Sequence, residues 1–357
     1  MKEKIRGLDG LKGIIAIFIA YVYHYFILFE VDPFQSVPIL NKIFYFINVY
    51  TGYSEAVFFL LSGFLMAYVY ETRVKHESVA DFFIPRIKKL YPIMIFTVLM
   101  VFALENLGHF LLGEYPLHGE NGDVQYGWVS LVVSVLGVQT GYFSDGDLHS
   151  VNGPAWYISI LFLCYLISFF VIKIVKSEKH RLVCFGGMFL LGVIICIHYG
   201  FDYPLLYSCC GRGFISFFLG YLMEKFVNRQ KRLGIVRALF LMIVIVVMLY
   251  LTETMFMSQR MVLTELFVYP TTVYLVLKVQ PIQRVLDKKI PRFLGRISLF
   301  MYLLNVPVFV AIAFINQVFD LHLDFGQPMV WLAITLGSIF ISEKMERLNG
   351  VLLKSGH

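Results

Sequence analysis

Ten apolar runs, most of them near the roughly 20 residues that an α-helix needs to cross a bilayer, constrain this chain more than any other feature. Read between polar breaks, they lie near residues 11–29, 50–70, 92–112, 155–176, 182–199, 204–224, 235–252, 261–279, 293–314 and 328–343. Inside hydrocarbon every backbone N–H and C=O must be satisfied within the segment, so such runs read as helices. A composition of 59% hydrophobic and 15% charged residues agrees. The expected fold is an all-α integral membrane protein, one domain spanning 1–357, with about ten transmembrane helices. An eleventh apolar run, Trp128 to Val138, is too short to cross and is expected at an interface or as a re-entrant segment.

Lys2, Lys4 and Arg6 precede the first run in the manner of a signal peptide. No small-residue cleavage site follows and the run is long enough to span, so it reads as a retained first helix. Lysine and arginine accumulate on the cytoplasmic side of membrane proteins. With the N-terminus inside, 27 of the 30 lysines and arginines fall on that side; only Lys42 and Arg260 fall outside, and Arg212 falls within a helix. One crossing more or fewer would swap every later loop and destroy this asymmetry. Both termini are therefore expected in the cytoplasm. The net charge of +6 reflects topology, which argues against nucleic acid as a partner and for contact with membrane lipids.

Cys164, Cys184, Cys196, Cys209 and Cys210 all lie in the spans, without the spacing of a disulfide framework or a metal site. No nucleotide-binding loop, zinc spacing or clear internal repeat is present. Outer loops are short except for Gly113 to Gly153, which carries Glu114, His118, Glu120, Asp123, Asp145, Asp147 and His149. That loop is either an ordinary solvated segment or a cap over an outward-facing site.

Ionisable groups are costly in hydrocarbon and rarely sit there without a partner or a task. His24 lies in the first span, roughly 7 Å below its outer end at 1.5 Å per residue. Glu55 falls at a similar depth in the second span. Glu105, Arg212, Glu265 and Asn305 fall within roughly 6–14 Å of the outer ends of theirs. One polar layer in the outer half follows. It suits a reaction chamber, a network that holds helices together, or a transport pathway.

Several segments resemble the acyltransferase-3 family of membrane O-acyltransferases. DGLK (9–12), leading through an apolar helix to His24, and EAVFFLLSGFL (55–65) are similar to its two opening signatures. FIPRIKKLYP (83–92) resembles its basic segment, and WYIS (156–159) its tryptophan-led helix start. GRGFISFFLG (211–220) and GRISLFMYL (295–303) resemble two further blocks, so the likeness runs from Arg6 to about Pro307 with the motifs in order. Members typically have about ten helices and a cytoplasmic N-terminus, and modify glycans or lipids. Four departures stand out. Lys12 replaces the usual arginine, and one extra residue precedes His24; Leu161 and Asn305 stand where some members have glutamate and histidine. Twelve positions from Lys12 to His24 turn about 120° beyond whole turns, so the two share no helix face unless a bulge intervenes.

The resemblance implies transfer of an acetyl group from acetyl-CoA, with no tightly bound cofactor and no metal. A base must take the acceptor hydroxyl's proton, and neutral histidine suits this near pH 7. His24 is the expected base. A carboxylate on its second nitrogen would fix the tautomer, with Glu55 the leading candidate and Glu105 the next. Arg212, Ser62, Trp156 or Asn305 could donate to the oxyanion. Lys12, Arg86 and Lys89, with Lys88 beside them, would form a cationic mouth for the donor's phosphates, and Trp156 joins the expected donor-binding set. The implied acceptor is a cell-surface glycan or lipid-linked saccharide outside a bacterial plasma membrane. Alternatives are a transporter or flippase of a polysaccharide or lipid-linked sugar, and a degenerate member serving a polysaccharide-synthesis complex. Saturable, His24-dependent binding or cleavage of acetyl-CoA separates an enzyme from a carrier.

Overall fold

Each apolar run folds as a helix, because its backbone hydrogen bonds close locally. A computed structural model describes residues 5–117, 124–143, 150–201, 203–227, 233–252 and 255–355, without the side chains of 257–258 and 352–355. In chain order the helices are α1 (Leu8–Phe29), α2 (Pro38–Thr51), α3 (Glu55–Val74), α4 (Val79–Leu112), α5 (Trp128–Leu136), α6 (Trp156–Ile174) and α7 (Glu178–Ile197). They continue with α8 (Ser208–Val227), α9 (Ile235–Thr252), α10 (Gln259–Lys278), α11 (Gln280–Leu286), α12 (Lys289–Val318) and α13 (Pro328–Ser355).

Eight of these are long and apolar enough to cross a membrane: α1, α3, α4, α6, α7, α9, α10 and α12. The chain is a multi-pass membrane protein. Two expected spans fall short of that composition although both are helical. One is α8, which carries Arg212, Glu224 and Lys225; the other is α13, whose second half is charged from Glu343 onward. Much of α8 is buried inside the bundle, where its polar groups find protein partners.

Several helix pairs meet at glycine. A Cβ on Gly63 would overlap the carbonyl of Phe217, and one on Gly220 that of Leu60, so α3 and α8 touch backbone to backbone. A Cβ on Gly295 would overlap the carbonyl of Asp9, and α12 lies equally close to α1. Close approach through small residues supplies the van der Waals contact that holds helices together in lipid, where no hydrophobic drive exists between them. α12 also packs along α4, and α8 along α7.

The segment after α1, expected as an outer loop, contains a further helix, α2. Pro38 starts it, and it presents Ile39, Leu40, Ile43 and Phe46 outward. As a result α3 begins at Glu55 rather than near Tyr50. The short run Trp128–Val138 forms α5, nine residues long, closed by Gly137 at φ 73°. It packs on α4, where Tyr91 donates to the Leu136 carbonyl at 3.1 Å. Of the outer loop's ionisable groups, His118, Glu120, Asp123, Asp145, Asp147 and His149 lie outside the described residues. Its last described stretch is tied to the core by Asn152, whose Nδ2 donates to the Leu303 carbonyl at 3.0 Å.

Candidate active site

α1 is not a uniform α-helix. Ile19–Tyr23 forms a π-turn, and His24 follows it directly. A π-turn absorbs about one extra residue, so twelve positions act as about eleven and the angle from Lys12 to His24 falls to roughly 20°. The extra residue before His24 is thereby compensated. Lys12 and His24 lie on nearly one face.

His24 Nδ1 lies 3.1 Å from Asn305 Oδ1. The Asn305 amide nitrogen donates to two carbonyls of its own helix, Met301 at 3.2 Å and Tyr302 at 2.8 Å, which turns its oxygen toward the imidazole. An amide oxygen only accepts, so Nδ1 carries the hydrogen and Nε2 keeps its lone pair. The group fixing the tautomer is therefore the Asn305 amide, not the carboxylate of Glu55 or Glu105. Glu105 is buried in α4, with Tyr126 hydrogen-bonded to it.

Glu55 goes instead to Arg212, whose Nη2 donates to Oε2 at 3.1 Å. The Arg212 Nε donates to Glu265 Oε1 at 3.2 Å, and Ser216 Oγ donates to Glu265 Oε2 at 3.3 Å. Two buried carboxylates thus share one guanidinium, which stacks on Trp156 at 4.8 Å and Tyr53 at 5.5 Å. Glu55 sits in the first turn of α3, where the helix dipole favours an anion. Glu265 lies in another π-turn, Thr264–Val268.

A cavity of about 1670 Å³ opens at the other end of the bundle. That exceeds the roughly 300–1,000 Å³ of pockets for drug-sized ligands. Cations crowd its mouth: Lys12, Arg73, Arg86, Lys89, Lys288, Lys289, Arg292 and Arg296 line it against Asp9, Glu77, Asp81, Asp287 and Glu346. Lys12 pairs with Asp9 at 3.4 Å and Arg296 with Glu346 at 3.1 Å. Arg86 is caged by three rings, Phe82 at 3.6 Å, Tyr70 at 4.4 Å and Tyr165 at 5.1 Å.

Toward His24 the lining becomes aromatic. Phe58, Tyr157 and Tyr302 form a triangle of edge-on rings with centroids 5.9–6.0 Å apart. Ser62, also on the wall, lies 3.4 Å from the Tyr157 hydroxyl. The Tyr302 ring is 6.2 Å from the His24 ring. One aromatic layer thus separates the cavity from the imidazole.

Of the expected donor-binding residues, Lys12, Arg86 and Lys89 share this cavity, whereas Trp156 lies against Arg212 and Phe59. Tyr302 escaped sequence reasoning, although its position three residues before Asn305 puts it one turn away on the same helix face. Among the described residues no group of three or more His, Cys, Asp or Glu could hold a metal ion, and the five cysteines are free thiols.

A multi-pass membrane protein with a histidine held in one tautomer, one aromatic layer from a large basic cavity, is the class that fold and site define. Residues 5–342 match the model of the acyltransferase-3 family, described as an acyltransferase domain, and the chain belongs to that family. It is a membrane acyltransferase. Neither curated proteins nor solved structures gave a match.

Proposed function

We propose that this protein is an O-acetyltransferase that takes an acetyl group from cytoplasmic acetyl-CoA and delivers it to a hydroxyl of an extracytoplasmic or lipid-linked glycan. On this reading the chain crosses ten times with both termini in the cytoplasm, which would put the basic mouth on the side where acetyl-CoA is made. The observation that carries this reading is the cavity, which runs from a rim of cations to a wall one aromatic layer from His24. Cations suit the phosphates at one end of the donor, and lining residues such as Phe58, Leu61, Leu65 and Leu161 suit its pantetheine arm.

At the inner end His24 Nε2 takes the proton of the acceptor hydroxyl as its oxygen attacks the thioester carbon. The C–S bond then breaks, the sugar ester remains, and the departing thiolate recovers the proton from the imidazolium. Asn305 holds the ring so that Nε2 stays the basic nitrogen throughout.

The test is transfer of labelled acetyl from acetyl-CoA to surface glycan in oriented membrane vesicles, with wild type and His24→Ala at equal expression. Loss of a general base removes about 10²–10⁴-fold of rate, so labelling with His24→Ala should fall near background. Equal labelling by both proteins would remove His24 as base. Absence of labelling by the wild type with every glycan tried would favour a transporter or flippase.

A further inference from the structure

We infer that Tyr302 donates the hydrogen bond that stabilises the oxyanion of the transfer reaction. The assignment rests on the acyltransferase reading above and supplies a catalytic residue that reading lacks. Tyr302 is 2% exposed, and its hydroxyl has no hydrogen-bond partner among the described residues. Buried phenols ordinarily find a partner, because an unmade hydrogen bond costs the full desolvation of the group. A buried hydroxyl that lines a cavity and meets no protein acceptor is free to donate to a molecule bound there.

Its position specifies what arrives. The ring lines the donor cavity and lies 6.2 Å from the His24 ring. Tyr302 is also tied to the base through one side chain, since Asn305 donates to the Tyr302 carbonyl at 2.8 Å while its oxygen meets His24. Other donors nearby are engaged. Arg212 is divided between Glu55 and Glu265, and Ser62 lies against the Tyr157 hydroxyl.

As the acceptor oxygen bonds to the thioester carbon, the carbonyl electron pair moves onto oxygen, and the proton passes to His24. The Tyr302 O–H points a hydrogen bond at that oxygen and keeps its own proton. When the intermediate collapses the carbonyl re-forms, the C–S bond breaks, and the thiolate leaves.

Tyr302→Phe removes the hydroxyl and nothing else. Wild type, Tyr302→Phe and His24→Ala are compared in vesicles with labelled acetyl-CoA, and their melting is followed in detergent. Removing one oxyanion donor should lower kcat about 10²–10³-fold. KM for acetyl-CoA should stay within twofold, and the Tm should be unchanged or higher, because the phenylalanine leaves no unmade hydrogen bond. A Tyr302→Phe rate within threefold of wild type, beside an inactive His24→Ala, overturns the assignment and leaves the acyltransferase intact. A lower Tm or a raised KM would make the hydroxyl structural and overturn it equally. Wild-type vesicles that transfer no acetyl would take both readings down together.

Discussion

Arg212 shows how a single residue holds charge inside a membrane bundle. Its two carboxylates come from different helices, Glu55 on α3 and Glu265 on α10, so the guanidinium ties both to α8. Removing the cation leaves two buried anions facing each other. Breaking a buried pair in this way typically costs about 3–5 kcal/mol. Arg212→Gln should therefore melt far below wild type in detergent, or fail to accumulate. Glu265→Gln subtracts one charge from a cluster with one carboxylate in excess and should cost much less. A wild-type Tm for Arg212→Gln would show that the cluster does not hold the bundle. The mild variant also leaves a folded protein in which activity can be measured apart from stability.

At the scale of the element, the π-turn in α1 makes an unusual demand. Deleting a residue from an ordinary helix rotates everything beyond it by about 100°. Deleting Ala20, the smallest side chain of Ile19–Tyr23, should instead convert the π-turn to α-helix and leave Lys12 and His24 on one face. We expect this deletion to retain at least a third of the transfer activity. Deleting Ile14, in the regular part of the same helix, should abolish it. If both deletions are equally inactive, the π-turn has a role beyond absorbing the extra residue. The glycine contacts act at this scale as well, since Gly63 and Gly220 let α3 approach α8 closely enough for Arg212 to reach Glu55.

For the whole molecule, the cavity joins charge gathered from several helices into one field. Lys12 comes from α1, Arg86 and Lys89 from α4, and Arg296 from α12, yet all face one opening. A lysine contact to a donor phosphate is a charge-assisted hydrogen bond of roughly 1.5–3 kcal/mol, so Lys89→Ala should raise the KM for acetyl-CoA about tenfold or more. The same variant should leave KM unchanged for acetyl-pantetheine, which lacks the nucleotide phosphates. An equal rise for both donors would mean that Lys89 shapes the throat and does not read phosphate. The effect should shrink at high salt, because the mouth is open to solvent.

How much of this was legible beforehand follows from which interactions are local. The helices along the chain, the crowding of lysine and arginine in alternate connections, and His24 as an ionisable group inside a span could all be read directly. In lipid a helix satisfies its own backbone, so length and apolarity suffice to mark it. Among the described residues α2 and the short α11 escaped; in α2, Asn41, Lys42 and Asn48 interrupt the apolar pattern. The site was legible as depth and not as pairing. Glu55, Arg212 and Asn305 were expected at one level, but counting along a helix does not say which way each side chain turns or that Arg212 meets Glu55 while Asn305 meets His24. That azimuth came from the packing: the π-turn that rotates His24, the glycines that bring α3 onto α8, and the amide of Asn305 anchored to its own helix. The sequence by itself determined the long apolar helices and which ionisable groups lie within them. Tertiary contacts between residues as distant as His24 and Asn305 decided which group serves which, because such partners are chosen by helix packing and not by neighbours along the chain.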